Sequence, residues 1–262
     1  MFTFVNKLPI RLISVEARAG TVGLALNRLN VEYEHYRLID TDEWGVKLYN
    51  ALHGTSFEPR HIVRYTGKEL GLTDLDEYLY IFSYTAPPTE FLQWGKRGSP
   101  KKELRGQIQM AEIKRILQEA DNLPQVLIME NSPEIHLDAC YYALSRWCGF
   151  LSQRGYTNYC ADVDTLDYGT KRRIRNYLIS VRGYYKYDFP EVPEPPTSGT
   201  KRENNEINYK YLGFTPDEYK IVRKTLNSEH RIFTQSKKAI HVDLLSKVLG
   251  NLLVVKKPCL IS

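Results

Sequence analysis

Short apolar runs and helical repeats take turns along the first half of this sequence, and that alternation admits few folds. Ile10 to Val15 reads as a strand, and Ala19 to Leu29 then places Val22, Leu26 and Leu29 at helical spacing. Tyr36 to Ile39 reads as a second strand, ending in the acidic pair Asp40 and Asp42. Glu43 to Leu52 repeats Trp44, Leu48 and Leu52 at period four, as a helix does. Tyr78 to Ser83 is a third strand, Leu104 to Ala120 an amphipathic helix, and Gln125 to Met129 a buried strand stopped by Glu130, Asn131, Ser132 and Pro133. Leu137 to Gly155 reads as a helix and Ile174 to Val181 as a late strand. Thr215 to Leu226 and Val242 to Leu253 close the chain as helices. Repeated strand-helix units of this kind predict an α/β domain with a mostly parallel sheet flanked by helices.

With 262 residues, 42% of them hydrophobic, the chain has the material for one well-buried domain over 1–262. The interval 188–210 is rich in Pro, Glu, Lys and Asn, and reads as a short loop or linker. No run approaches the roughly 18 to 20 apolar residues of a membrane helix, and Met1 to Arg11 is too polar for a secretory signal. Cys140, Cys148, Cys160 and Cys259 show no metal-binding spacing. They read as reduced thiols, so a cytoplasmic protein without a metal site is expected. The net charge of +5 is uneven, because residues 171–262 carry roughly nine more Lys and Arg than Asp and Glu. A basic C-terminal third suits a polyanionic or acidic partner.

Five segments, in order, resemble the signature blocks of the cytosine-5 DNA methyltransferase family, its phage-type members above all. They are Asp40 to Phe57, the loop Ala86 to Gly98, Leu123 to Ser132, Arg154 to Ser180, and Tyr211 to Leu253. The resemblance spans nearly the whole chain and implies an S-adenosylmethionine-dependent, Rossmann-like fold. It also implies roles for particular residues. Glu130 matches the glutamate that steadies the cytosine ring, and Arg173 and Arg175 match two arginines of a neighbouring strand, with Lys171 in place of a glutamine. Gly20 and Gly23 match the cofactor turn, and Asp40 the acid that takes the ribose hydroxyls.

The departures carry more information than the matches. Pro88 stands where the family has its nucleophilic cysteine, and a proline side chain can attack nothing. In the cofactor turn, Arg18 replaces an aromatic residue and Val22 a glycine. Lys237 and Lys238 replace a Gly-Asn pair, adding positive charge where a sulfonium would sit. The interval that holds the family's target-recognition domain is under 30 residues here, too short to bury a core. These losses predict a catalytically inactive member with no cofactor, S-adenosylmethionine binding being the alternative.

The expected function is therefore that of a binding or regulatory module. Its partner would be an active methyltransferase subunit, a host protein or nucleic acid, in a viral or prophage setting, met through Lys171, Arg172, Lys201, Arg202, Lys237 and Lys238. A homodimer is a further alternative. The rival reading is an enzyme: a methyltransferase subunit active only with a partner chain, or another nucleotide-modifying activity in the old cleft.

Overall fold

The computed structural model describes residues 2–3, 8–85, 100–131, 133–136, 138–164, 174–183, 185–190, 205–236 and 239–253. Its centre is a six-stranded sheet. The strands are β2 (Ile10–Val15), β3 (Tyr33–Ile39), β4 (Leu79–Thr85), β5 (Val126–Asn131), β6 (Tyr156–Asp164) and β7 (Ile174–Arg182). They lie in the order β3-β2-β4-β5-β7-β6. The four on the β3 side are parallel, whereas β7 runs antiparallel to both β5 and β6. A two-residue strand, β1 (Phe2–Thr3), pairs in parallel with β8 (Tyr185–Lys186).

The helices among the described residues are α1 (Thr21–Arg28), α2 (Glu43–His53), α3 (Pro100–Glu119) and α4 (Asp138–Ser152), then α5 (Asn205–Tyr211), α6 (Pro216–Leu226), α7 (Glu229–Ser236) and α8 (Val242–Leu253). Strand alternation sorts the sheet's side chains onto two faces. Ile10, Leu12, Leu79, Ile81, Val126, Ile128, Ile179 and Val181 share one core with α1, α6 and α8. Ile13, Val15, Tyr80, Phe82, Leu127, Met129 and Leu178 share the other with α3 and α4. All six residues of β5 are buried, as a central strand covered on both faces requires.

The predicted α/β class, the mostly parallel sheet and each predicted strand and helix are present, with ends shifted by a few residues. Besides the two-residue strands β1 and β8, three of the elements above were not expected. Strand β6 is one: its sequence, YTNYCADVD, is polar because it lies at the sheet's edge. Helix α7 is another. Helix α5 corrects the reading of 188–210 as continuous loop, since residues from Asn205 onward are helical and Tyr209 is fully buried. Residues 191–204 lie outside the described ones.

Two local devices fix the ends of α2 beside the site discussed next. The Asp42 carboxylate accepts hydrogen bonds from the backbone N–H groups of Trp44 and Gly45, which caps the helix. Gly54, at φ 65°, ends it in the left-handed conformation that favours glycine.

Candidate functional site

The chain leaves β2 through a tight turn, Glu16 to Gly20, before α1 begins. Three of its residues have left-handed backbone: Glu16 at φ 53°, Arg18 at φ 54° and Gly20 at φ 64°. The conformation is free for glycine but costs each of the other two on the order of 1 kcal/mol. The neighbouring strand β3 ends at Ile39, and the next residue, Asp40, lies 20 residues after Gly20 and is 1% exposed.

The Arg18 guanidinium fills the space between the turn and the β3 end. Its Nη2 lies 2.6 Å from Glu16 Oε2, and its Nη1 lies 2.9 Å from Asp40 Oδ1 and 3.1 Å from Asp42 Oδ2. Two backbone groups add to this: the Arg18 N–H donates to Asp40 Oδ2 at 3.2 Å and the Asp42 N–H to Asp40 Oδ1 at 2.9 Å. Burial nevertheless pushes the Asp40 carboxyl above the usual carboxylate range, against the pull of Arg18 and these donors. From α7, Gln235 Nε2 donates to Asp42 Oδ2 at 3.1 Å, and the Arg231 guanidinium lies 3.7 Å from the centre of the Trp44 ring. Lys47 Nζ lies 4.7 Å from the same ring. Glu16, Arg18, Asp40, Asp42 and Gln235 thus form one polar network, which Trp44 and Arg231 adjoin through Asp42.

Gly20 and Gly23 face the protein's own interior. A Cβ on Gly20 would meet His53 Nε2 at 2.4 Å and Tyr49 Cε2 at 2.5 Å; one on Gly23 would meet His35 Cε1 at 2.6 Å. These three side chains pack together, Tyr49 fully buried and the two histidines half-buried. His35 Nδ1 and the Tyr49 hydroxyl share a hydrogen bond of 2.6 Å, and the two imidazole centroids are 4.4 Å apart. His53 Nε2 donates to the Ala19 carbonyl at 3.1 Å, while its Nδ1 is buried without a partner. Burial lowers the His35 pKa to about 3, helped by His53, and lowers that of His53 to about 4.

The second expected site lies where the end of β5 meets the start of β7. Glu130, 8% exposed, forms an ion pair with Arg175 in which Nε lies 2.8 Å from Oε1. Truncating Arg175 to alanine would leave the largely buried carboxylate one charged donor short. The expected cost is about 2 to 4 kcal/mol of folding stability, read from urea midpoints. A loss below about 1 kcal/mol would mean that water replaces the guanidinium at little cost.

Among the predicted residues, then, Gly20, Gly23 and Asp40 come together at one turn, and Glu130 and Arg175 at another. Pro88, Lys171, Arg172, Arg173, Lys201, Arg202, Lys237 and Lys238 lie outside the described residues. The sequence reading missed His35, Tyr49, His53, Arg231 and Gln235. It noted Arg18 as an odd residue in the turn; the only further signal was the density of carboxylates at Glu16, Asp40 and Asp42. Among the described residues no group of three or more His, Cys, Asp and Glu side chains is arranged to hold a metal ion, and no helix is long and apolar enough to cross a membrane.

The family model for C-5 cytosine-specific DNA methylase matches residues 10–251. No curated protein matches the chain in sequence. Among solved structures, the S. pombe Dnmt2 methyltransferase superposes with a TM-score of 0.64 at 14% identity, over 93% of this chain and 98% of that one. The Entamoeba histolytica methyltransferase EhMeth gives 0.62 at 10% identity, over 94% and 98%. An E. coli protein described as a prophage-encoded DNA modification methyltransferase gives 0.54 at 17%, over 72% of this chain and 53% of its own. At these identities the structural likeness establishes the fold, which is that of methyltransferases.

Proposed function

Because the chain belongs to the C-5 cytosine-specific DNA methylase family, we propose that it is a member without methyl transfer, its fold kept as a binding or regulatory module for a protein or nucleic-acid partner. The observation that carries this reading is Pro88 in the position of the nucleophile. Methylation at carbon 5 of cytosine needs a thiolate to add at carbon 6, which makes carbon 5 electron-rich enough to take a methyl group. Proline supplies no such electrons. Nor are the described thiols poised to replace it: burial raises the pKa of Cys148 to about 11 and also raises those of Cys140 and Cys160, so all three are protonated at neutral pH.

The methyl donor of the family is S-adenosylmethionine, and the residues present do not fit it. In doubly wound α/β folds the ribose hydroxyls of a nucleotide are received by an acid about 20 residues past the glycine turn. Here that acid is Asp40, and its oxygens already take the Arg18 guanidinium and two backbone N–H groups. The Trp44 ring, a surface for stacking a base, is engaged by Arg231.

The partner would meet the basic C-terminal third, through Lys171, Arg172, Lys201, Arg202, Lys237 and Lys238. A nucleic acid and an acidic protein differ in salt response, since each phosphate neutralised on duplex DNA adds roughly −0.9 to the log-log salt slope. The phage-type sequence likeness supports a viral or prophage setting.

The deciding experiment offers the purified protein tritiated S-adenosylmethionine and duplex DNA of mixed sequence, alongside an oligonucleotide carrying 5-fluorocytosine as a covalent trap. Label and adduct are both expected at the level of a heat-killed control. Either one clearly above it would overturn the reading. The rival, an enzyme completed by a partner chain, is favoured by the surviving Glu130–Arg175 pair. An adduct formed only in host extract would select it.

A further inference from the structure

Three carboxylates, Glu16, Asp40 and Asp42, converge on one guanidinium. We propose that this turn is a latent ribonucleoside site held shut by Arg18, whose guanidinium makes the hydrogen bonds to Asp40 that the vicinal diol of a ribose would otherwise make. The inference rests on the reading above that the native chain does not hold S-adenosylmethionine.

Four observations carry it. The first is the acceptor. Asp40 is oriented by the backbone N–H groups of Arg18 and Asp42, and this framework does not depend on the Arg18 side chain. A guanidinium and a diol are both donors, so either can satisfy the same oxygens. The second is the lie of the plug. Arg18 sits in left-handed backbone, and a Cβ on Gly45 would come within 3.3 Å of its Cδ. The glycine thus leaves room for the arginine stem to cross the start of α2. The third is Trp44, whose backbone N–H is tied to the Asp42 carboxylate and whose ring has two charged companions, Arg231 and Lys47, on long side-chain stems. The fourth is independent of Arg18. Gln235 is 2% exposed, and while its Nε2 is tied to Asp42, its Oε1 is buried without a donor. Buried acceptors are nearly always satisfied. An unsatisfied one on the side chain that holds Asp42 suits a ligand that brings an N–H, as a nucleobase or an α-amino group does.

The test compares the native protein with Arg18→Ala, and with Arg18→Ala combined with Glu16→Gln, which removes one of the carboxylates that Arg18 pairs with. Probes are S-adenosylhomocysteine, adenosine and 2′,3′-dideoxyadenosine, which lacks the diol. The readouts are the thermal midpoint and calorimetric binding. The native midpoint is expected to be unmoved by any of the three. In at least one variant, S-adenosylhomocysteine or adenosine at about a hundred times its Kd should raise the midpoint by about 5 °C or more, while dideoxyadenosine leaves it unchanged. If neither variant folds alone, refolding with S-adenosylhomocysteine should recover folded protein that refolding without it does not. Folded variants blind to both nucleosides would overturn the inference and leave the proposed function standing. So would an equal response to dideoxyadenosine, or refolding that the nucleoside does not improve. Binding by the native protein would instead overturn the premise, and the latch with it.

Discussion

Replacing Gly20 with alanine is expected to lower folding stability by about 2 to 5 kcal/mol. Part of this is backbone strain, since alanine at φ 64° costs on the order of 1 to 2 kcal/mol. The rest is overlap. The new methyl would stand 2.4 Å from His53 Nε2 and 2.5 Å from Tyr49 Cε2, inside a packed group that cannot recede without breaking the His53 bond to Ala19. Overpacking of this kind costs about 1 to 3 kcal/mol. Gly54 supplies the control: its φ is 65°, yet a Cβ there meets nothing within 4 Å. Gly54→Ala should therefore show the strain alone, about 1 to 2 kcal/mol. Urea denaturation of both variants measures the difference. Equal losses would mean that the space behind Gly20 is softer than the contacts imply.

The same packed group should make the fold sensitive to acid. An unfolded chain titrates its histidines near 6.5, but burial holds His35 neutral to about pH 3 and His53 to about pH 4. Above pH 6.5 neither state binds these protons, and stability does not depend on them. As the pH falls from 6.5 toward 4, the unfolded chain takes up two protons that the folded chain refuses. Each such histidine then costs about 1.4 kcal/mol per pH unit. At pH 5 the pair should have removed about 4 kcal/mol relative to pH 7.5. Asp40 works in the opposite sense: its raised pKa lets the folded chain accept a proton first, which returns part of the loss at the acid end. Denaturant midpoints at pH 7.5 and 5.0 give the slope. His53→Gln keeps a donor for the Ala19 carbonyl and should remove about half of it. A native midpoint that does not move between the two pH values would contradict the burial of both rings as neutral species.

The parts of this fold that could be read in advance are those whose physics is local. Strands β2, β4 and β5 are covered on both faces, so their apolar runs are nearly unbroken and stand out. The amphipathic period of α8 arises in the same direct way, from one buried side. The edge strand β6 has no such run to announce it, and the reversal of β7 leaves no mark in its own residues. At the site, Arg18 could be recognised as foreign to a nucleotide-binding turn. Its partners could not be foreseen in the same way. They depend on left-handed backbone at Glu16 and Arg18 and on where α2 begins. Gln235 reaches Asp42 across nearly two hundred residues of sequence. Single histidines such as His35 and His53 make no periodic pattern, so only the assembled chain reveals that they meet behind the glycines.

The place of β7 between β5 and β6 sets an order for building the molecule. The chain makes β5, then α4, then β6, and only afterwards the strand that joins β6 to the rest of the sheet. On a ribosome releasing the chain from its N-terminus, the free side of β5 stays unpaired until residue 182 has emerged. That side belongs to six consecutive residues that are all buried when folding is complete. An open edge of this kind is a template for pairing with another chain. The interval between Asn131 and Arg182 is therefore the stretch of synthesis in which a nascent copy is most exposed to its neighbours, and it closes when β7 pairs with β5.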